Sequence, residues 1–330
     1  MRPLLDPHGR AIRYLRLSIT DRCDFRCRYC MPAKMHFAPR RQLLDLAEYV
    51  LLARAFVELG VRKIRLTGGE PLVRADVLQM VHTLSQIPDL DELTMTTNGS
   101  QMARYAAGLR AAGLSRLNIS LDSLDADTFR HLTRTGDLRR VLAGIEAARA
   151  AGFRRIRINA VIIKGRNEQQ ILPLLDFCLE RGLDLCFIEE MPLGDIGDDR
   201  NRPLELMPSN AVRRQIAARY RLHPLGFSTG GPARYWGIAG QRSRIGFISP
   251  HSDNFCAACN RVRVTATGRL LLCLGHENAL DLRALLRRHP GQRAPLKTAI
   301  RQALARKPAR HYFSPAAQAQ TLRFMNATGG

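Results

Sequence analysis

The sequence predicts an α/β protein built on an incomplete TIM-like (βα)6 barrel, with a smaller C-terminal region attached. Three observations carry this reading. First, a phrase of helix end, glycine and strand recurs in "VELGVRKIRL", "RAAGLSRLNI", "ARAAGFRRIRI" and "LERGLDLCFI". Each reads as a C-capping glycine feeding a strand, the mark of parallel βα units. Second, the strand ends read "TGGEP", "TTNG", "SLDS" and "EEMP", polar and rich in turn residues, as the chemically active rim of such a barrel is. Third, after about Ser228 the pattern gives way to Gly-rich, short β-like runs and then an Arg-rich segment. The chain therefore divides into a barrel domain, 6–229, and a C-terminal domain, 230–330.

The elements follow in order. Strands are expected at 12–20, 63–68, 92–99, 116–122, 155–163 and 183–191. Between the first two, residues 41–59 place Leu44, Ala47, Val50, Leu51 and Ala55 near helical spacing, closed by Gly60. Residues 137–151 do the same with Leu138, Val141, Leu142, Ile145 and Ala148, closed by Gly152. Near the end an amphipathic helix is expected at 280–288.

Composition narrows the function classes. A chain of 330 residues with 45% apolar content can bury a sizeable core. No apolar run is long enough for a bilayer, and "MRPLLDPHGRAIRY" has no apolar stretch of the export type. A cytoplasmic, reducing setting is expected, where eight cysteines serve as metal ligands, catalytic thiols or core rather than disulfides. The net charge is +22, and only Lys34, Lys63, Lys164, Lys297 and Lys307 among the 51 basic residues are not Arg. Such a balance suits either a polyphosphate or nucleic-acid site or a solvated Arg-rich surface. Long basic runs and interleaved aromatics are missing, which weighs against a nucleic-acid arm.

"DRCDFRCRYCMP" puts Cys23, Cys27 and Cys30 in one loop after the first strand. Three thiolates can hold three corners of a cubane iron–sulfur cluster and leave the fourth iron open; zinc with His36 as fourth ligand is the alternative. "CAACNRVRVTATGRLLLC" adds Cys256, Cys259 and Cys273, with a hairpin turning at Thr267-Gly268 that folds Cys273 back beside the first two. Here too zinc is open, with His276 as fourth ligand. Cys178 and Cys186 lie in apolar runs and read as core.

The first triplet, with Tyr29 just before its third cysteine and "TGGEPL" after the second strand, resembles the radical S-adenosylmethionine superfamily. That resemblance implies a [4Fe–4S] cluster whose open iron binds S-adenosylmethionine and supplies the electron that releases a 5′-deoxyadenosyl radical. The glycines of that segment give backbone room to approach a ligand. Both triplets together, with "YLRLSITDRCDFRCRYCMP", "LNISLDSLD", "FIEEMPLG", "ISPHSDNFCAACNRVRVT" and the terminal "GG", resemble the GTP 3′,8-cyclase family of molybdenum cofactor biosynthesis over nearly the whole chain.

This second resemblance implies a second [4Fe–4S] cluster, on Cys256, Cys259 and Cys273, facing the purine. It implies cyclisation of GTP to 3′,8-cyclo-7,8-dihydro-GTP by way of a ribose C3′ radical that attacks C8. Tyr29, Gly69, Ser120 and Met191 match the S-adenosylmethionine positions. Arg16, Arg65, Thr96, Arg157, Arg261, Val262 and Arg263 match the GTP positions, with Arg at 157 where the family pattern has Lys. Arg261, Arg263 and the tail Gly329-Gly330 match residues needed for activity. The implied partners are GTP, an electron donor and a downstream protein that converts the product. The chain is expected to be a monomer or homodimer with no membrane or nucleic-acid partner. The rival readings are a peptide-modifying radical maturase, with more C-terminal cysteines, and a zinc-bearing nucleic-acid-binding protein.

Overall fold

All six strands form where the sequence places them: β1 (Tyr14–Ser18), β2 (Lys63–Thr67), β3 (Glu92–Thr97), β4 (Arg116–Ser120), β5 (Ile156–Ile162) and β6 (Asp184–Glu189). The structure is a computed structural model that describes residues 3–194, 206–313 and 323–329. Helices α1 (Leu46–Glu58), α2 (Val77–Ser85), α3 (Met102–Ala111), α4 (Ala126–Thr133), α5 (Leu138–Ala150) and α6 (Ile171–Glu180) lie between or after them. Side-chain caps fix several helix starts. Asp45 and Glu48 close a capping box on α1, and Asp125 and Asp137 cap α4 and α5. The recurring glycine is explained at the helix ends, where Gly60, Gly113, Gly152 and Gly182 all take positive φ, between 65° and 106°. The 41–59 helix starts later than its apolar pattern, because a separate single turn of 3-10 helix at Arg40–Gln42 precedes the Asp45 cap.

The C-terminal segment adds α7 (Ser209–Ala217), β7 (Leu222–Leu225), β8 (Arg234–Ile238), β9 (Ile245–Ile248), β10 (Arg261–Val264), β11 (Arg269–Leu271) and β12 (Ala279–Asp281). α8 (Leu282–Arg288), α9 (Ala294–Leu304) and α10 (Met325–Thr328) follow. These strands build no sheet of their own among the described residues. β10 pairs parallel with β1 and β9 pairs parallel with β6, so the order is β12-β11-β10-β1-β2-β3-β4-β5-β6-β9-β8-β7. The sheet stays open, and the barrel is incomplete as expected.

Strand parity sorts the two faces. Leu15, Leu17, Ile64 and Leu66 are fully buried and pack with Leu52 and Phe56 of α1 in the main core. The alternate residues, including Arg16, Arg65, Asn118 and Arg157, border a chamber on the other face. Burial of charge there needs a counter-charge, which makes that face the place to look for function.

Candidate active site

In parallel, in-register pairing, partners across neighbouring strands share a face. Arg263 of β10, Arg16 of β1 and Arg65 of β2 therefore stand in one row. Arg261, Tyr14 and Lys63 form the next row. With Arg157 they border one chamber. Burial and then repulsion from Arg16 and Arg261 push Arg263 well below its ordinary pKa. Burial likewise lowers Arg16, to about 10. The rows are held open by hydrogen bonds: Arg65 Nε donates to Tyr14 Oη at 2.6 Å, and its Nη1 donates to the Met95 carbonyl at 3.2 Å and Thr96 Oγ1 at 3.3 Å. Arg157 Nη1 donates to Tyr235 Oη at 2.8 Å. Lys63 Nζ donates to the Thr229 carbonyl at 3.1 Å, which brings the 229–231 loop to the chamber, and pairs with Glu92 at 2.5 Å.

A second chamber lies beside the strand ends and is bordered by Cys23, Cys27 and Cys30. Its frame is a set of carboxylates, Asp122 and Glu70 buried and Asp24 half-buried. Tyr29 Oη donates to Asp122 Oδ2 at 2.6 Å, and the Val161 amide donates to Asp122 Oδ1 at 2.8 Å; burial lifts Asp122 to about 6. Glu70 accepts from Thr97 Oγ1 at 2.7 Å, the Asn98 amide at 2.6 Å and the Leu72 amide at 3.0 Å, and burial lifts it to about 7. Asp24, inside the cysteine loop, accepts from Asn98 Nδ2 at 2.7 Å and Ser100 Oγ at 2.6 Å. The cysteine loop is thus tied to the end of β3.

The glycines after β2 have a reason that sequence reasoning missed. A Cβ on Gly69 would sit 2.3 Å from the Arg22 carbonyl oxygen, and one on Gly68 would sit 2.6 Å from that of Thr20. They admit the backbone of the cysteine loop, and the Gly69 amide donates to Thr20 O at 2.9 Å. Gly69 also borders the first-triplet chamber, with Tyr29, Ser120 and Met191. Thr96, matched to the GTP set, borders this chamber and reaches the other through Arg65. Val262, between Arg261 and Arg263, joins the main core and borders the cationic chamber.

The two chambers meet. Asn159, Ile188, Met191 and Met325 border both. Asn159 Oδ1 is buried with no hydrogen-bond partner among the described residues, an acceptor in want of a donor from a bound molecule. Met325 belongs to α10, which docks through its own amide to Cys30 O at 3.2 Å and through Asn326 Nδ2 to Asp21 O at 2.9 Å. The tail continues into the cation row, where the Gly329 carbonyl accepts from Arg16 Nη2 at 3.2 Å and from Arg263 Nη1. Gly329 has φ +75°, and a Cβ there would meet Thr67 Oγ1 at 2.1 Å. Gly330 lies outside the described residues.

Cys256, Cys259 and Cys273 border the cationic chamber. The hairpin expected at Thr267-Gly268 forms between β10 and β11, with Gly268 at φ +79°, and returns Cys273 to the first two. Burial opposes ionisation of Cys259, but Arg261 and Lys307 outweigh it and bring the thiol to about 7. All eight cysteines are free thiols. The donor chemistry fits iron–sulfur clusters. Each triplet stands against an open chamber, and the Phe25 amide donates to Cys23 Sγ at 3.3 Å, a contact of the kind that tunes cluster sulfurs. The zinc partners stand elsewhere. His36 is exposed and off the chamber wall, while His276 Nε2 bonds the Arg310 carbonyl at 3.1 Å and its ring packs on Tyr312.

Sequence reasoning passed over Tyr14, Lys63, Asn159, Asp122 and Glu70. The period-two signal was available for the first three: Tyr14, Lys63 and Asn159 each lie two residues from an Arg already singled out.

Residues 17–178 match the family model described as Radical SAM superfamily, and residues 183–313 match Molybdenum Cofactor Synthesis C. The chain is 59% identical to GTP 3′,8-cyclase 1 of Pseudomonas aeruginosa over 327 residues, 99% of each protein. It is 56% identical to GTP 3′,8-cyclase of Ectopseudomonas mendocina, over 99% of this chain and 98% of that protein. Among solved structures, Streptococcus suis SuiB bound to its precursor peptide SuiA superposes with a TM-score of 0.65. That likeness covers 94% of this chain and 76% of SuiB at 16% identity, and speaks for the fold alone. End-to-end relatedness at more than half of all positions decides the matter: the chain belongs to the GTP 3′,8-cyclase family.

Proposed function

We propose that this protein catalyses the radical cyclisation of GTP to 3′,8-cyclo-7,8-dihydro-GTP, the first step of molybdenum cofactor biosynthesis. The observation that carries the reading is the junction: a chamber bordered by one cysteine triplet opens, at Asn159, Ile188, Met191 and Met325, onto a cationic chamber bordered by the other. A cofactor in the first and a nucleotide in the second would face each other there.

In this reading Cys23, Cys27 and Cys30 hold the first [4Fe–4S] cluster, and Cys256, Cys259 and Cys273 hold a second. When bound, the first cluster with S-adenosylmethionine would supply the radical chemistry directed at the ribose 3′ hydrogen. The chain's own residues place the reactants. Tyr29, Gly69, Ser120 and Met191 hold S-adenosylmethionine at the strand ends. Arg16, Arg65, Arg157, Arg261 and Arg263 hold the triphosphate by forked, charge-assisted hydrogen bonds, with Val262 on the same strand and Thr96 orienting Arg65. The apolar side chains of Ile188, Met191 and Met325 exclude water where the ribose would sit. Gly329 closes the cation row with its backbone carbonyl, and Gly330 is read as needed for activity from the sequence resemblance alone. The partners of this reading are an electron donor and a downstream protein that takes up the cyclic product. The protein acts in the cytoplasm as a monomer or homodimer. No helix among the described residues is long and apolar enough to cross a membrane.

The test uses anaerobically reconstituted protein, which should bind about eight irons per chain. GTP deuterated at C3′ should deliver its label to 5′-deoxyadenosine as the cyclised product appears. Cleavage of S-adenosylmethionine with GTP present but without label transfer would overturn the reading.

A further inference from the structure

Tyr14 is the buried phenol at the centre of the cation rows. It is 4% exposed, its oxygen accepts from Arg65 Nε at 2.6 Å, and Lys63 Nζ lies 5.3 Å from its ring centre. The charges that face it come from its own strand, from both neighbouring strands and from across the chamber: Arg16 on β1, Lys63 and Arg65 on β2, Arg261 and Arg263 on β10, and Arg157 on β5. Glu92 of β3 is engaged with Lys63 and Arg116. A phenol is the ionisable acid that these rows themselves carry into the chamber.

We propose that Tyr14 is the proton-exchanging group of the nucleotide chamber: its phenolate sits between Arg16 and Arg65 when no polyanion is bound, and it takes up one proton when a triphosphate becomes the counter-charge. The proton comes from solvent, and only the phenolic O–H bond forms. Electrostatics supports the geometry. Burial opposes ionisation of Tyr14, but the fields of Arg65, Arg16 and Lys63 outweigh it and bring the phenol down to about 6. At neutral pH and above the empty chamber then holds tyrosinate. A triphosphate a few ångströms away reverses the local field and restores the neutral phenol. Tyr14 is a positioning residue as well, since the neutral phenol still accepts from Arg65 Nε and keeps that guanidinium in its row.

The inference rests on the triphosphate reading of this chamber, and its test separates the two. Calorimetric titrations of GTP and of inorganic tripolyphosphate into the reconstituted protein are run at about pH 7.5 in Tris and in Pipes. The difference in heat between the buffers gives the protons exchanged. Wild type should take up about one proton more than Tyr14→Phe with either ligand. Tyr235→Phe, which removes the phenol on Arg157, should keep the wild-type number. Equal proton numbers for wild type and Tyr14→Phe overturn the proposal, as does failure of tripolyphosphate to bind. Linkage with tripolyphosphate but no binding of GTP leaves Tyr14 as proposed and sinks the GTP reading instead. If Tyr14→Phe does not fold, NMR of wild type labelled with 13C at tyrosine Cζ decides. One tyrosinate signal that GTP abolishes is expected, and a spectrum with no tyrosinate refutes the proposal.

Discussion

Replacing Arg65 with Ala separates a nucleotide site from a merely charged protein. Arg65 is 4% exposed and is anchored by two of its nitrogens, to Tyr14, Met95 and Thr96. Its Nη2 makes no hydrogen bond among the described residues and is left for a ligand. A charge-assisted hydrogen bond to phosphate contributes ~1.5–3 kcal/mol, so the GTP dissociation constant should rise on the order of ten- to a hundredfold. The effect on folding should be small. Neighbouring guanidinium groups about 5 Å apart repel by ~3 kcal/mol at an effective dielectric constant of about 20, and relief from that repulsion offsets the lost anchors. Arg301, exposed on α9, is the control, because it supplies only diffuse, salt-screened attraction. Titration calorimetry of GTP into anaerobically reconstituted variants, with melting curves beside it, makes the comparison. The barrel-interior placement is refuted if Arg65→Ala binds GTP no worse than Arg301→Ala.

Gly329→Ala should undock the tail: a left-handed Ala costs ~1–2 kcal/mol, and its Cβ would lie 2.1 Å from Thr67 Oγ1. Product formation should fall while the melting temperature holds, and an unchanged rate would contradict the docking. Cys27→Ala should abolish S-adenosylmethionine cleavage, whereas Cys259→Ala should keep some uncoupled cleavage and lose the cyclised product. Measuring 5′-deoxyadenosine and product separately checks this, and equal loss of both in both variants rules out the division of labour. Glu70, lifted by burial from 4.5 to about 7, binds its proton more tightly folded than unfolded. Its share of stability is present below about pH 4.5 and is lost as pH rises through about 7. Glu70→Gln should therefore flatten the decline of melting temperature between about pH 5 and pH 8, and an unaltered slope would count against the burial argument.

Much of the barrel was legible because local signals and tertiary structure agree there. Each capping glycine lies where the chain must turn left-handed, and the sequences of β1 to β4 alternate apolar and polar residues. The cysteine loops were legible for the same reason, since their spacing is a local feature. What was not legible is long-range. Nothing in "RVRV" announces that β10 pairs with β1, some 245 residues away, or that β9 extends the other side of the same sheet. That pairing aligns Arg263 with Arg16, so the cation row exists only in the folded register. The carboxylate frame was hidden likewise, because Glu70 and Asp122 look like turn residues until the ends of β3 and β5 arrive to donate to them. The Arg-rich composition was legible but ambiguous. The arginines divide between two settings. Arg149, Arg287 and Arg293 pair with acids on helices, while the strand arginines line the chamber.

Position 157 joins these strands of argument. The sequence resemblance implies Lys there, and a longer, forked cation needs a different support. Its partner is Tyr235 of β8, a strand that reaches the barrel only because β9 pairs with β6. Tyr235 is 3% exposed, packs edge-on against Phe227 and lies within 3.4 Å of Thr229 Oγ1, in the same loop whose carbonyl accepts from Lys63. One arm of the Arg157 fork is spent on that phenol, and the guanidinium is planar, so fixing one arm fixes the direction of the other. A Lys ammonium is a point charge on a flexible stem and would gain little from such an anchor. Arg at position 157 therefore carries a charge on β5 whose direction is set by the C-terminal segment. The cysteine loops and the cations of this molecule, each drawn from both the N-terminal and the C-terminal part of the chain, meet because the C-terminal strands extend the barrel sheet on either side.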